Sequence, residues 1–308
     1  MMTKRFFYFL ALFVGLFSVG CSDGYDADSA TSLYKPVEGR RMVAKVKTTN
    51  TVDGRNYSWE HNFSYDAQGR IKEINSVILH HEPVTNQYDN VTRWYVCNIT
   101  SKANYYFDDE KLAVYYSVEK VYPDYPDWNN VDSGHNNGVF NENGVLEEFA
   151  LIDFEYSLTN LLSAYIDGDI RYDFIRERGD VTGFVKYDDL TNTVKKDCGK
   201  NYSYSGVKNN TNFDFSAYFG YWEIEQNIIA NRAPYYASYQ LGAFGMLGST
   251  SVSLPLGQIL KDGDGNPVVD EYGQRVYEYG TWKLDETKKY PLEFVDATGR
   301  KTEITYVD

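Results

Sequence analysis

The stretch Tyr57-Ser58-Trp59-Glu60-His61-Asn62-Phe63-Ser64-Tyr65-Asp66-Ala67-Gln68-Gly69-Arg70-Ile71 carries the two signals that set the fold class. Its rings alternate with polar residues up to Tyr65. A period of two puts one side chain set on each face of a strand, so this strand has one aromatic face and one wet face. The run then breaks at Asp66 and Gly69. An Asx side chain accepts backbone N–H groups at the start of a turn, and Gly supplies the positive φ needed to re-enter a strand. A one-sided strand ending in such a turn predicts an antiparallel hairpin.

The same grammar recurs along the chain. Met42, Ala44, Val46 and Thr48 alternate with a side bearing Lys45 and Lys47, and Leu112, Val114, Tyr116 and Val118 oppose Lys111, Ser117 and Glu119. From Leu146 to Tyr156 apolar residues fall on both sides, which predicts one strand covered on both faces. Copies of the turn follow at Asp108-Asp109-Glu110-Lys111, Asn141-Glu142-Asn143-Gly144, Asp270-Glu271-Tyr272-Gly273 and Asp296-Ala297-Thr298-Gly299. Their spacing is irregular, which argues for a meander and against a solenoid of fixed period. One short helix is expected, capped by Asp214 or Ser216, carrying Tyr218, Phe219, Trp222 and Ile229, and ending before Pro234. The fold class expected is therefore all-β, a large antiparallel meander closing into a barrel-like sheet.

Composition removes several functions. Forty-four acids against 30 bases give a net charge of −14 over 308 residues, which repels nucleic acid. A chain 43% hydrophobic and 17% aromatic is not disordered, and 3 Cys are too few for a disulfide scaffold. Cys97 and Cys198 could pair in an exported compartment; sequence leaves that open.

The N-terminus reads as an address. Lys4 and Arg5 precede an uncharged run from Phe6 to Val19, a signal peptide of residues 1–20 that is too short to span a bilayer comfortably. The run ends in Ser18-Val19-Gly20-Cys21, which resembles the bacterial lipobox, with Ser18 where Leu is usual. The resemblance implies cleavage before Cys21 and acylation of Cys21, with palmitate among the chains, so that the membrane is a partner through the lipid. Residues 21–38 read as a polar tether, with Asp23, Asp26 and Asp28 acidic and Asp28-Ser29-Ala30 fitting a short O-glycosylation pattern. Residues 39–308 show no linker and read as one domain.

Three stretches carry a wider resemblance: the Tyr-Asp-x-x-Gly-Arg hairpin; Tyr202-Ser203-Tyr204 with Asn210-Thr211-Asn212-Phe213-Asp214-Phe215; and Leu241-Gly242-Ala243-Phe244-Gly245 through Ser253-Leu254-Pro255. With Trp282 and Gly299 they spread over most of residues 40–308, which resembles bacterial lipoproteins of unknown function whose domain is described as porin-like. The resemblance implies a large antiparallel barrel and brings no catalytic residues. The strands themselves argue against spanning a membrane, because Lys, Glu and Asp punctuate the faces that would meet lipid. A soluble barrel with its rings inside fits better.

Candidate sites are few. Asp262, Asp264, Asn266 and Asp270 sit at positions 1, 3, 5 and 9 of an EF-hand-like loop, but Pro267 and Gly273 occupy the positions that need Gly and Glu. His80-His81-Glu82 invites a metal, yet adjacent strand residues point to opposite faces. Glu147-Glu148 and Asp188-Asp189 invite a glycosidase, which needs carboxylates facing across a bond. No nucleophile elbow, phosphate loop or dinucleotide fingerprint is present, and no cofactor is implied. The most informative segment is Tyr122-Pro123-Asp124-Tyr125-Pro126-Asp127-Trp128, expected to open a polar loop running to Gly138. Two prolines favour polyproline-like backbone, on which Tyr122, Tyr125 and Trp128 share one side and can stack on sugars or apolar ligands.

The function expected is that of a lipid-anchored lipoprotein of the outer membrane or cell surface. It is a non-enzymatic binding or structural module for a glycan, another envelope component or an apolar ligand. The alternatives are a carboxylate-based hydrolase acting on glycans and a purely structural partner protein.

Overall fold

Strands account for most of the chain, as the alternation predicts. The computed structural model describes residues 32–85, 91–219, 240–248, 251–262 and 266–308, with backbone alone for 195–200. The first long hairpins are β1 (Val43–Val52), β2 (Arg55–Tyr65), β3 (Ile71–Thr85), β4 (Thr92–Asp108), β5 (Lys111–Val121) and β6 (Asn130–Phe140). Shorter strands follow: β7 (Leu146–Phe149), β8 (Ile152–Tyr156), β9 (Leu162–Asp167), β10 (Ile170–Glu177), β11 (Asp180–Asp188) and β12 (Thr193–Lys200). Then come β13 (Tyr202–Lys208), α1 (Phe215–Tyr218), β14 (Ser253–Ile259) and β15 (Tyr277–Tyr279). The chain ends with β16 (Thr281–Leu284), β17 (Pro291–Val295) and β18 (Lys301–Tyr306). Each pairing is antiparallel between chain neighbours, except that β18 returns to β1.

The result is one 15-stranded sheet running from β12 through β1 to β18, β17 and β16, and a separate three-stranded sheet of β13, β14 and β15. The sheet is barrel-like but open. Closure was expected; instead β12 and β16 are edges not bonded to each other, because between them the chain leaves to build the small sheet and an interior segment.

That interior segment shows how the sheet bends. Asn212 Oδ1 accepts the Val43 amide of β1, and the Phe213 ring lies 5.4 Å from Phe63 of β2. The Met246 carbonyl accepts the Leu146 amide at β7, and Gly248 bridges Leu161 beside β9. Phe215 meets Trp282 of β16 at 5.4 Å, and Phe219 meets Phe294 of β17 at 5.2 Å. Strands remote in the sheet order can share so short a segment only if the sheet curls around it. Residues 209–219 and 240–248 thus form a plug on the concave face, and Phe213, Phe215, Leu241 and Leu247 are fully buried there.

Alternation decides the faces. His61 and Phe63 are buried, while Tyr57, Trp59 and Tyr65 are partly buried along the same face. Outward, Glu60 pairs with Lys45 and Lys47 at 3.6 and 3.5 Å, and Lys301 pairs with Glu293 and Glu303 at 2.9 and 3.0 Å. Lys102 adds a pair with Glu73. An ionic lattice on the convex face is the reverse of a lipid-facing band, where each Lys or Arg near the midplane costs about 2–4 kcal/mol.

The turns follow the expected chemistry. Asp66 Oδ1 accepts the Gln68 and Arg70 amides, and Asn141, Asp270 and Asp296 do the same in their own turns. The turn after Asp108 differs: β4 and β5 pair directly from Asp108 to Lys111, leaving a two-residue loop with Asp109 at φ 33°. Leu146 to Tyr156 is two strands, not one. Ala150 and Leu151, both at positive φ, form a tight turn that resets the alternation, which is why apolar residues fall on both sides of the sequence pattern. In β1 a bulge between Val43 and Lys45 turns Val43 inward in place of Ala44. Asp214 caps α1 as expected; the continuation through Trp222 and Ile229 lies outside the described residues.

The packed body reaches further back than residue 39. Tyr34 is buried, stacks on Phe107 and Phe140, and donates to the Phe244 carbonyl at 2.6 Å. Tyr34, expected in the tether, therefore belongs to the packed body. The expected signal peptide of residues 1–20 and Cys21 lie outside the described residues. Cys97 is a buried free thiol, while the Cys198 side chain is not described.

Candidate functional site

The long hairpins β3–β4 and β5–β6 carry their aromatic residues to the end of the sheet opposite Asp66 and Asn141. Register aligns the concave face there: His80 opposes Cys97, and Glu82 opposes Tyr95. The Glu82 carboxylate is clamped from two sides. Tyr122 donates its hydroxyl to Oε2 at 2.5 Å, and Lys120 Nζ lies 3.2 Å from Oε1. Burial, then the carboxylate beside it, raises the Tyr122 phenol above its ordinary pKa. The Tyr122 amide donates to Asn129 Oδ1 at 2.8 Å, which fixes the segment that follows.

That segment is not the extended backbone expected from its prolines. Pro126 opens a 3₁₀ turn, Pro126–Trp128, where its missing N–H costs nothing. The turn still gathers the residues spaced by three, because a 3₁₀ helix has about three residues per turn. Tyr125 and Trp128 stack at 4.6 Å with an interplanar angle of 18°. Tyr95 abuts both edge-on, at 4.8 and 5.2 Å, and Tyr122 meets Trp128 at 5.8 Å. Tyr125 and Trp128 are 40% and 41% exposed, whereas Tyr122 is 8% exposed. The outward surface therefore has two rings, with Tyr122 as their support. Nor does a polar loop run on to Gly138: residues 130–140 are β6. Gly134 lets that strand pass the Tyr116 ring, whose hydroxyl would lie 2.6 Å from any Cβ there.

The remaining candidates do not converge. His80 and His81 take opposite faces, each edge-on to Tyr57, and His81 Nε2 lies 3.2 Å from the Asn56 carbonyl. In the EF-hand-like stretch, Asp262 Oδ1 accepts the Asn266 amide and Asp270 Oδ1 those of Tyr272 and Gln274. These carboxylates thus serve two successive hairpin turns; Asp264 lies outside the described residues. Glu147 and Glu148 are both exposed on β7, and Asp188 caps its own turn through Thr191. Among the described residues no group of three His, Cys, Asp or Glu could hold a metal ion.

Two buried acids stand apart from these candidates: Asp214, expected only as a helix cap, and Asp180, which the sequence did not single out. Asp214 accepts from the Ser216 and Ala217 amides, the Ser216 hydroxyl and the Ser251 amide, a full set for a structural carboxylate. Asp180 accepts the Ser253 amide at 3.0 Å, and burial raises its carboxyl above the usual range. The Glu82 clamp was also missed, since Lys120 and Tyr122 lie 38 and 40 residues from Glu82 along the chain.

No protein-family profile matches this chain, and no curated protein matches it. Among solved structures it is similar to a porin-like protein from Bacteroides uniformis. That likeness has 11% sequence identity and a TM-score of 0.43, and it covers 90% of this chain and 100% of the other.

Proposed function

We propose that the chain is a lipoprotein anchored to the bacterial outer membrane through Cys21, with a non-enzymatic role: it binds a glycan of the envelope or its surroundings on the Tyr125/Trp128 corner. The observation that carries the reading is the parallel, two-fifths exposed ring pair on a stiff base. Tyr95 props it from the side, and Tyr122 is locked beneath by Glu82 and Lys120. Flat, pre-organised rings present apolar area to a sugar face at little entropic cost.

Placement supports the same reading. The Leu33 amide is held by the Asp109 carbonyl at one end of β4, and Tyr95 stands near the other. At about 3.3 Å per residue Asp109 and Tyr95 are about 45 Å apart. A lipid upstream of residue 32 would leave the rings on the side away from the bilayer.

Two measurements test this. Cys21→Ala is expected to move the protein from the detergent to the aqueous phase on partitioning; retention in detergent overturns the anchor. Trp128→Ala is expected to lower glycan-array signals at least about tenfold, equivalent to about 1.4 kcal/mol. Equal signals, or none from the parent, overturn the platform.

A further inference from the structure

A second concave surface lies far from the rings, between the β10–β11 turn and the small sheet. It is a cleft of about 840 Å³. Glu177, Arg178 and Asp180 overhang it from the turn, Ser203 and Ser205 of β13 line it, and Tyr277 of β15 walls one side. The turn is rigid: Arg178 and Gly179 both take positive φ, and Glu177 pairs with Asp180 across it. Gly179 also lies against Val252, where a Cβ would come within 2.9 Å of the valine side chain. The wall extends outward, since Tyr279 stacks on Tyr277 at 6.2 Å and 14° and is 56% exposed.

Hydrogen-bond polarity tells what such a cleft would take. Ser203 donates its proton to the Gly257 carbonyl and Ser205 donates to the Leu254 carbonyl. Tyr204, behind them, donates to the Val181 carbonyl. Each hydroxyl has spent its one donor, and Ser205 Oγ also accepts the Val207 amide at 3.2 Å, so what the serines offer the cleft is their remaining lone pairs. The Asp180 carboxylate is taken up by the Ser253 amide, so at the rim Glu177 carries acceptors and Arg178 donors. A cleft with serine lone pairs and one carboxylate beside one guanidinium carries no net charge and favours a neutral ligand dense in O–H groups. The volume is many times that of a bare cation, and the tyrosine wall matches the face of a pyranose ring.

We propose that this cleft is a second ligand site, taking a neutral oligosaccharide with one ring against Tyr277 and hydroxyls directed at Ser203, Ser205 and the Glu177/Arg178 turn. It is independent of the Tyr125/Trp128 corner, because it lies on different strands and shares no residue with it.

The test uses the full-length protein in detergent. Maltohexaose, cellohexaose, xylohexaose and chitohexaose are titrated by calorimetry, with spermidine as a cationic control. At least one hexasaccharide is expected to bind, with affinity reduced fivefold or more in both Tyr277→Ala and Tyr279→Ala and unchanged in Trp128→Ala. Tyr279 is exposed, so its variant reads the wall even if Tyr277→Ala fails to fold. Loss in Trp128→Ala alone would uphold the ring corner and overturn the cleft. Binding of spermidine without any hexasaccharide, or no binding at all, would also overturn it.

Discussion

The Asp66 side chain holds three N–H groups at once: the amides of Gln68 and Arg70, and Arg70 Nε at 2.5 Å. The two side chains are 1% and 2% exposed, and the Arg70 guanidinium lies 4.8 Å over the Phe107 ring. Asp296 and Arg300 repeat the motif at the surface, with an Nε–Oδ2 distance of 2.9 Å and side chains 19% and 38% exposed. One chain thus contains a buried pair and its exposed control. Breaking a buried pair leaves a charge without its partner, so Arg70→Ala is expected to cost about 3–5 kcal/mol in urea unfolding. Arg300→Ala should cost about 1 kcal/mol or less. Equal losses would mean that burial is not the cause.

His61 offers a second residue-scale test. It is buried among Ser76, Phe63 and Tyr218, and burial lowers its pKa from 6.5 to about 4, against a small opposing pull from Glu60. The folded protein therefore holds the neutral ring, and the unfolded chain takes up the proton first as pH falls. Stability is unaffected above about pH 6.5, declines between 6.5 and 4, and levels off below that, with a total loss of about 3 kcal/mol from this group. His61→Gln should flatten that part of the stability–pH curve; an unchanged slope would assign the loss elsewhere.

At the scale of elements, the turns were legible because their chemistry is local. An Asx oxygen and a left-handed residue three places on suffice, and four of the five turns read from sequence close in that way. Two more were illegible because they use other residues for the same bonds. Ser157 Oγ accepts the Thr159 and Leu161 amides with Asn160 at φ 56°, and Asp285 caps a turn with Lys288 at φ 57°. The ring corner was half legible. Spacing by three put Tyr125 beside Trp128, but whether Pro126 extends or coils the chain depends on Asn129 tethering Tyr122. Nothing local marks Glu82 as the clamp. Context likewise ranks the turn glycines. Gly144 and Gly299 both have positive φ, yet a Cβ at Gly144 collides with the Leu33 carbonyl, while at Gly299 it meets nothing. Gly299→Ala is expected to cost about 1 kcal/mol from backbone strain alone. Gly144→Ala should cost clearly more, because it must also displace the N-terminal segment; equal melting shifts would show that this segment contributes nothing to the body.

For the whole molecule, the decisive feature is the plug, and it has no periodicity by which a sequence could announce it. Leu241-Gly242-Ala243-Phe244-Gly245 is neither an alternating strand nor an amphipathic helix, and its partners Tyr34, Phe63, Tyr65 and Phe213 are scattered along the chain. Its effect is architectural. Among the described residues the edge strands β12 and β16 are not hydrogen-bonded to each other, so the curvature is assigned to what the concave face grips. Phe213 sits at the centre of that grip. Its ring contacts Phe63 of β2, Phe244 of the plug and Phe215 and Tyr218 of α1, all within 5.5 Å, and it is fully buried. Removing such a ring typically costs about 3–5 kcal/mol through lost burial and the cavity left behind. If plug and sheet are one cooperative unit, Phe213→Ala lowers the urea midpoint in a single transition with an unchanged slope. If the sheet holds its curl unaided, the plug should release first, and a second transition with a smaller slope should appear in near-ultraviolet dichroism. That outcome would return the origin of the curvature to the strands themselves.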